Sequence, residues 1–407
     1  MNVLVFTSLY PNNVWPHHGV FVKERMTTFA QIEGCNVKVV APVPYFPPIK
    51  LGHRSGFSQI TPREVIEGLE VYHPRYFMIP KVSMAFHGLL MFLSVLPCIR
   101  KLQRDFAFDI IDAHYVYPDG FVAVLLGSFF KKPVVVSARG SDISIFAKFP
   151  LIRRFLQYTI NKADRVIAVC QALKDAMIQL RIPEEKITVI PNGVDTKKFH
   201  PFSKEEARRK LRLPLNKRIL LSVGGLIPRK GFDLLIKALK LLFEEWHARD
   251  LYLVIVGEGS SRRELEQLID SLGLGEHVYL AGAIPHQELY FWYSAADLFC
   301  LASSREGWPN VVLEALASGT PVVATDIWGI PEIICSDKLG ILTKRSERDL
   351  AAGIAAALQK SWQSDAIVQY AREQTWERVA SSVLYTFQTV LAAQGVPVYD
   401  NRSTAMR

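Results

Sequence analysis

The sequence predicts an α/β protein of two doubly wound, Rossmann-like domains. Three observations carry that prediction. Short apolar, β-branched runs alternate with longer amphipathic stretches along the whole chain, as in parallel sheets crossed by helices. The alternation pauses at a Pro-Asn-Gly turn near Pro191 and a polar stretch through Pro214, then restarts. And 407 residues exceed what one hydrophobic core usually organises, so two domains of roughly 150–200 residues are expected.

In the first half, strands are expected at 3–7, 37–41, 110–113, 134–137 and 165–169, and helices at 20–32, 120–130, 152–161 and 172–180. In the second half, strands are expected at 219–224, 252–256, 278–280, 298–301 and 321–324. Helices are expected there at 233–246, 261–272, 286–295, 311–318 and 350–359. The domain reading is 1–195, a linker at 196–215, 216–375, a helix at 376–393 packing back on the first domain, and a polar tail at 394–407. In open sheets of this kind, ligands bind at the carboxyl ends of the strands.

Composition narrows the function. Nearly half the residues are apolar and about a fifth charged, ordinary for a globular enzyme. Residues 1–200 hold 24 Lys+Arg against 15 Asp+Glu, and residues 201–407 hold 24 against 24, so the whole +9 excess lies in the first half. Such a surface attracts anionic lipid or acidic saccharide; a phosphate-binding cleft would also explain it. No arginine run, zinc spacing or recognition-helix pattern points to nucleic acid. Most of the five widely spaced cysteines sit beside apolar residues and read as small buried hydrophobes in a reducing compartment. The start lacks a basic n-region and a long apolar run, so a cytoplasmic chain is expected. The most apolar stretch, 84–99, is shorter than the ~20 residues of a bilayer span and is flanked by Lys81, Arg100, Lys101 and Arg104. It reads as a helix packed in the first domain, or as one lying in a membrane surface.

The most informative segment is SSREGWPNVVLEALASGTPVVATDIWGIPE, 303–332. A buried strand at 298–301 leads into a turn with Glu306 and Gly307, and Pro309 suits a first helical turn. Glu314 lies eight residues after Glu306, rotated by about 80° and two turns deeper. Between them, first-turn amides around Asn310 and Val311 offer an anion site. A phosphate flanked by two carboxylates suits a sugar nucleotide, one acid taking hexose hydroxyls and the other the ribose diol. Gly257-x-Gly259 after a strand is part of a dinucleotide fingerprint, but Arg262 stands where its third glycine belongs.

These residues resemble the signature of the GT4 glycosyltransferases, a retaining family with the two-domain GT-B fold, whose domains face each other across a cleft. The E-x7-E motif is Glu306 to Glu314, and the similarity continues through Gly319, Pro321, Gly329 and Glu332. SVGGLIPRKGFDLLIKAL (222–239), VIVGEGSSRREL (254–265), AADLFCLASSREG (295–307) and VIPNGVDTKKF (189–199) also resemble it. GVFVKE (19–24), HPRY (73–76) and ARGSD (138–142) are similar to the branch containing the teichuronic acid enzymes.

The resemblance implies a hexosyltransferase of surface polysaccharide biosynthesis, with a UDP- or GDP-hexose donor and a saccharide or lipid-linked acceptor. Lys230, with Arg229, would neutralise the departing diphosphate. Glu306 would orient the sugar and Glu314 the ribose. Gly307, Pro309, Asn310 and Val311 would hold the donor, and Gly282 to Ile284 the base. Gly225 stands where many members carry arginine. On the first domain, Gly19, His114, Arg139 and Asp142 would lie on the acceptor or cleft side, Arg139 replacing a histidine common in relatives. No DxD triplet occurs, so no essential metal is expected, and no cofactor beyond the nucleotide sugar. An epimerase or an inactive sugar-nucleotide-binding protein would share this fold; the retained glutamates and Lys230 favour transfer.

Overall fold

The computed structural model describes residues 1–47, 56–78 and 86–395. The chain divides into two compact units, one formed by Met1–Pro191 with the segment from Trp376, the other by Asn192–Thr375. The strands of the first unit are β1 (Asn2–Phe6), β2 (Asn36–Val40), β3 (Val43–Pro44), β4 (Arg63–Ile66), β5 (Leu69–Tyr72), β6 (Arg75–Tyr76), β7 (Ile110–His114), β8 (Val134–Ala138), β9 (Arg165–Ala168) and β10 (Ile187–Val189). Eight of them form one sheet in the order β10-β9-β8-β7-β1-β2-β5-β4; β3 pairs with β6. All neighbours in the large sheet run parallel except the β4–β5 hairpin. β1 sits between β2 and β7, with Val3 opposite both Val37 and Ile110. Its residues Val3 to Phe6 are fully buried, as a central strand covered on both faces requires.

Helix Val20–Ala30 covers this sheet through Val22, Met26 and Phe29. Helix Trp376–Ala393 packs beside it, with the Phe29 and Phe387 rings 5.4 Å apart. The apolar stretch around 84–99 is helix His87–Asp105 where described, with Pro97 inside it. It is two-faced: Met91, Val95, Ile99 and Leu102 are buried, while Leu89 and Leu93 are exposed.

The second unit contains β11 (Arg218–Val223), β12 (Leu251–Val256), β13 (Val278–Gly282), β14 (Leu298–Leu301), β15 (Val322–Thr325) and β16 (Gly340–Thr343), all parallel in the order β13-β12-β11-β14-β15-β16. Side chains alternate between two cores. Ile219, Leu221, Val223, Val254 and Val256 face one. Leu220, Leu253 and Ile255 face the other.

Residues 196–215, expected as a linker, fold into this second unit. Phe199, Ala207 and Leu213 join one of its cores. Helix Lys204–Lys210 is capped by the Ser203 hydroxyl. Its Arg208 is buried, donating to Asp297 Oδ2 at 2.6 Å and to the Ala295 carbonyl at 2.9 Å. The polar character that suggested a linker belongs to this helix's outer face. The expected strands and helices form with small boundary shifts, and β3, β4, β5, β6, β10 and β16 are additional. The tail beyond Gly395 lies outside the described residues.

Replacing Phe387 by Ala removes a fully buried ring opposite Phe29 and should lower stability by about 3–5 kcal/mol. Urea unfolding measures this, and a loss below about 1 kcal/mol would contradict the packing described.

Candidate active site

Between β11 and β14 the connections diverge. The helix after β11, Phe232–Glu245, packs into one core, and the helix after β14, Asn310–Ala317, into the other. This is the topological switch point, where the two loops part and expose the strand ends. Glycines bring those loops close. Gly231, at φ +68°, packs so that a Cβ would fall 2.2 Å from the Ala302 carbonyl oxygen, and a Cβ on Gly224 would meet Lys230 Cε at 3.3 Å.

The result is a charge cluster. Lys230 Nζ donates to Glu306 Oε1 at 2.6 Å, and the Ser303 hydroxyl donates to the same oxygen at 2.7 Å. The Arg229 guanidinium reaches Glu306 Oε2 at 3.4 Å and donates to the Arg305 carbonyl at 2.9 Å. Glu306 is 7% exposed. Burial alone would raise its pKa, but the charges of Lys230 and Arg229, with the Lys230 and Ser303 hydrogen bonds, hold it below the usual carboxylate range. It is therefore ionised at neutral pH.

Glu314 is also buried, and both its oxygens are engaged: Oε1 lies 2.9 Å from His286 Nε2, and Oε2 accepts from the Tyr293 hydroxyl at 2.8 Å. Burial and the neighbouring carboxylate raise the Tyr293 pKa far above normal, so it remains a donor. The helix starts one residue earlier than expected, with Pro309 as N-cap and Asn310 first. Gly307, Asn310 and Val311 are half-buried, leaving the helix mouth accessible. Asn310 Oδ1 accepts from Asn192 at 2.9 Å.

Gly282 ends β13 at φ +79° and its carbonyl accepts from Gly257 N–H; Ile284 packs on the core. Gly225 is exposed, and a Cβ there would meet only the Glu258 carbonyl, at 3.8 Å, so a side chain fits. The Gly257-x-Gly259 pair has a packing reason. Cβ atoms there would lie 1.9 Å from the Gly224 oxygen and 2.4 Å from the Leu226 oxygen.

In the first unit, the predicted residues sort differently. Gly19 is a buried turn glycine at φ +67°, where a Cβ would meet the Leu9 carbonyl oxygen at 2.3 Å. Asp142 is fully buried and caps backbone, accepting from the amides of Val116, Arg139 and Gly140. His114 is likewise fully buried and does not present itself at the surface. Its Nδ1 lies 2.5 Å from Arg139 Nη2 and its Nε2 lies 3.2 Å from Asp112 Oδ2. Because a guanidinium only donates, Nδ1 accepts and the ring proton sits on Nε2, toward Asp112. Burial, with Arg139 and Arg25, pushes the His114 pKa down to about 3 against the pull of Asp112, so the ring is neutral. Asp112 is held from behind by Arg25 at 2.8 Å. Arg139, half-buried and 5.2 Å from the Phe21 ring centre, ends this relay.

Sequence reasoning missed Arg25, Asp112 and Asp119. Arg25 had a signal, a cation on the apolar face of its helix beside Val22, Met26 and Phe29. Asp119, fully buried, joins the loops after β1 and β7: its Oδ2 accepts from Ser8 N–H at 2.9 Å and Ser8 Oγ at 2.8 Å. Burial, with the nearby Asp142 charge, pushes its pKa up to about 7 against those two hydrogen bonds.

Comparisons with known proteins agree with this architecture. The family model "Glycosyl transferases group 1" matches residues 203–374, and "Glycosyltransferase Family 4" matches 25–198. TuaC of Bacillus subtilis (strain 168), provisionally named a teichuronic acid biosynthesis glycosyltransferase, is 28% identical over 95% of this chain and 93% of its own. A GDP-mannose-dependent phosphatidylinositol monomannoside mannosyltransferase of Mycolicibacterium smegmatis is 32% identical over 53% of this chain and 58% of its own. Among solved structures, sucrose-phosphate synthase from Thermosynechococcus elongatus superposes with TM-score 0.78 at 20% identity, covering 96% of this chain and 99% of that one. Anabaena HepE in complex with UDP gives 0.72 at 20% identity, covering 96% and 100%. Fold and matches together define a glycosyltransferase of GT-B architecture. The chain belongs to the GT4 family, glycosyl transferases group 1.

Asp119 carries a pH prediction. Its folded pKa lies above the unfolded value, so the folded state binds its proton more tightly and stability falls as pH rises from about 4 to 7. Asp119→Asn keeps an acceptor oxygen for Ser8 and removes the titration. Relative to wild type, the variant should gain about 2–3 kcal/mol between pH 5 and pH 8 in denaturant melts. A pH-independent difference would contradict the raised pKa.

Proposed function

We propose that this enzyme transfers a hexose from a nucleotide diphosphate donor, UDP- or GDP-linked, to a saccharide or lipid-linked saccharide during surface polysaccharide biosynthesis. The anomeric configuration is retained and no metal ion takes part. The observation that carries this reading is the convergence of Lys230, Arg229 and buried Glu306 at the switch point, on the loop that enters helix Asn310–Ala317. HepE, which shares the fold, has been crystallised with UDP and with UDP-glucose, and the mycobacterial relative is GDP-mannose-dependent.

The diphosphate lodges at the half-buried helix mouth, against the amides of Asn310 and Val311 and the end of Gly307. Lys230 turns part of its charge from Glu306 to the phosphate oxygens, with Arg229 beside it in the place of the arginine absent at Gly225. The bond between the anomeric carbon and the phosphate oxygen breaks while the acceptor oxygen approaches the same face. The acceptor proton passes to the departing phosphate. Glu306, already ionised, accepts from hexose hydroxyls and stabilises positive charge at the anomeric carbon. Glu314 uses its remaining lone pairs for the ribose diol, its orientation set by His286 and Tyr293. Gly282 to Ile284 border the base. The first unit takes the acceptor, with Arg139 as the predicted residue that reaches toward the surface.

A thermal-shift screen with UDP, GDP, ADP and TDP sugars identifies the donor. A true donor at a hundredfold excess over its Kd should stabilise the protein by about 2.7 kcal/mol. With that donor, Glu306→Gln should lower turnover at least a hundredfold and change donor affinity only slightly, and Lys230→Ala should cost about 3–4 kcal/mol of transition-state stabilisation. Near-normal turnover in Glu306→Gln would remove Glu306 from the mechanism.

We further propose peripheral attachment to an anionic membrane. Among the described residues no helix is long and apolar enough to cross one. Helix His87–Asp105 exposes Leu89 and Leu93, with Phe86 before it and Arg100, Lys101 and Arg104 near its end. Helix Pro150–Lys162 exposes Leu151 and Tyr158 beside Arg153 and Arg154. Liposomes containing anionic lipid should float the protein at low salt, and Leu89→Glu with Leu93→Glu should abolish flotation. Wild-type protein that stays in the dense fraction would defeat this proposal.

A further inference from the structure

Asn192 opens the second unit and is tied to the helix mouth where the donor reading places a diphosphate. Its backbone is anchored close by. Val194, two residues on, is buried in the core with Phe199, and its N–H donates to the Gln374 carbonyl at 2.8 Å. Asn192 is 6% exposed, and its Nδ2 donates to Asn310 Oδ1 at 2.9 Å across 118 residues of sequence. A buried side chain fixed at its backbone and bonded at its tip holds its partner in one orientation.

The position of that partner decides what the contact does. Asn310 is the first residue of helix Asn310–Ala317, its N-cap is Pro309, and no side chain caps the helix. The backbone N–H groups of Asn310 and Val311 accordingly have no acceptor among the described residues. These are the donors that a phosphate at a helix start uses. The side chain of Asn310 itself has two ends, a carbonyl that accepts and an NH2 that donates. At a helix start an unrestrained asparagine carbonyl bonds to its own or a neighbouring backbone N–H, and so competes with an anion for the same groups. Here Asn192 takes that carbonyl oxygen, and Asn310 Nδ2 keeps no partner among the described residues. The one nearby competitor for the amides is thereby engaged elsewhere, and the donor end of the same side chain stays open.

We propose that Asn192 is a positioning residue of the donor site: by engaging Asn310 Oδ1 it keeps the first-turn amides open for the donor diphosphate, and it rests in this on the reading that the diphosphate binds at this helix mouth. Asn192 acts through Asn310 and needs no contact with the ligand. Without it, a fraction of the molecules would hold the helix start closed by Asn310, and the apparent affinity for the diphosphate would fall by that fraction.

Calorimetric titration of the full chain with UDP and with GDP tests this. For the nucleotide that wild type binds, Asn192→Ala should weaken binding roughly fivefold, the effect of a competing cap of ordinary strength. Asn310→Ala keeps the backbone amides and removes the competing carbonyl, so it should cost less than Asn192→Ala. The decisive variant carries both substitutions. It should bind within about twofold of Asn310→Ala alone, and more tightly than Asn192→Ala. A contact that only stabilised the fold would give the two single variants equal losses, and a misfolded Asn192→Ala would not be rescued by a second substitution. If wild type binds UDP or GDP and Asn192→Ala binds it equally well, or if the double variant binds no more tightly than Asn192→Ala, the role of Asn192 is overturned and the donor reading stands. If wild type binds neither nucleotide, the donor reading falls and the role of Asn192 with it.

Discussion

The candidate site depends on how a buried carboxylate is kept ionised. An isolated acid as enclosed as Glu306 would take up a proton. Here a lysine, an arginine and a serine hydroxyl reverse that tendency. The compensation requires two loops, one after β11 and one after β14, to approach within a few ångströms. That approach in turn requires a residue without a side chain, Gly231 against Ala302, while Gly257 against Gly224 and Gly259 against Leu226 let the loop after β12 close on the loop after β11. The glycines set the backbone spacing, the spacing sets the ion pair, and the ion pair sets the charge state that the proposed chemistry uses. A buried pair of this kind is a weak source of stability, since desolvation offsets most of the attraction. Its value is in holding a cation and an anion at fixed positions, as the proposed chemistry requires.

The first unit solves a related problem with a relay. Arg25, Asp112, His114 and Arg139 run from the interior to the end of β8, and each orients the next. The histidine works in this relay because it is neutral. A charged imidazolium could not accept from Arg139, and two neighbouring guanidiniums together with burial keep it uncharged over the physiological range. His114, a candidate for direct contact when met as a motif, is thereby a holder of Arg139. The same holds for Asp142, whose carboxylate serves three backbone amides. His114 ends β7 and Asp142 lies in the short helix after β8, at the carboxyl ends of the strands, and both are fully buried.

Much of the fold was legible in the sequence because parallel α/β layers leave a plain periodic trace. Strands covered on both faces read as apolar runs, as at 298–301 and 322–325, and the helices between them carry one apolar stripe. What escaped was short or lay outside the doubly wound core: β4 and β5 form an edge hairpin, and β10 and β16 are edge strands of three and four residues. The supposed linker escaped for a different reason. Helix Lys204–Lys210 is mostly charged and buries only Ala207 and Arg208, so composition alone marks it as solvated.

From its order of residues alone, the chain determined its alternating layers, its family, the E-x7-E motif of Glu306 and Glu314, and the separate segment that carries Lys230. These follow from local periodicity and from residue types at fixed spacing. Tertiary structure alone decided which of those groups meet. Lys230 and Glu306 are 76 residues apart in sequence and 2.6 Å apart in space, Arg25 and Asp112 87 apart and 2.8 Å. Ionisation follows from such encounters, because burial and neighbouring charge, properties of the folded interior, set whether an acid or an imidazole carries its charge.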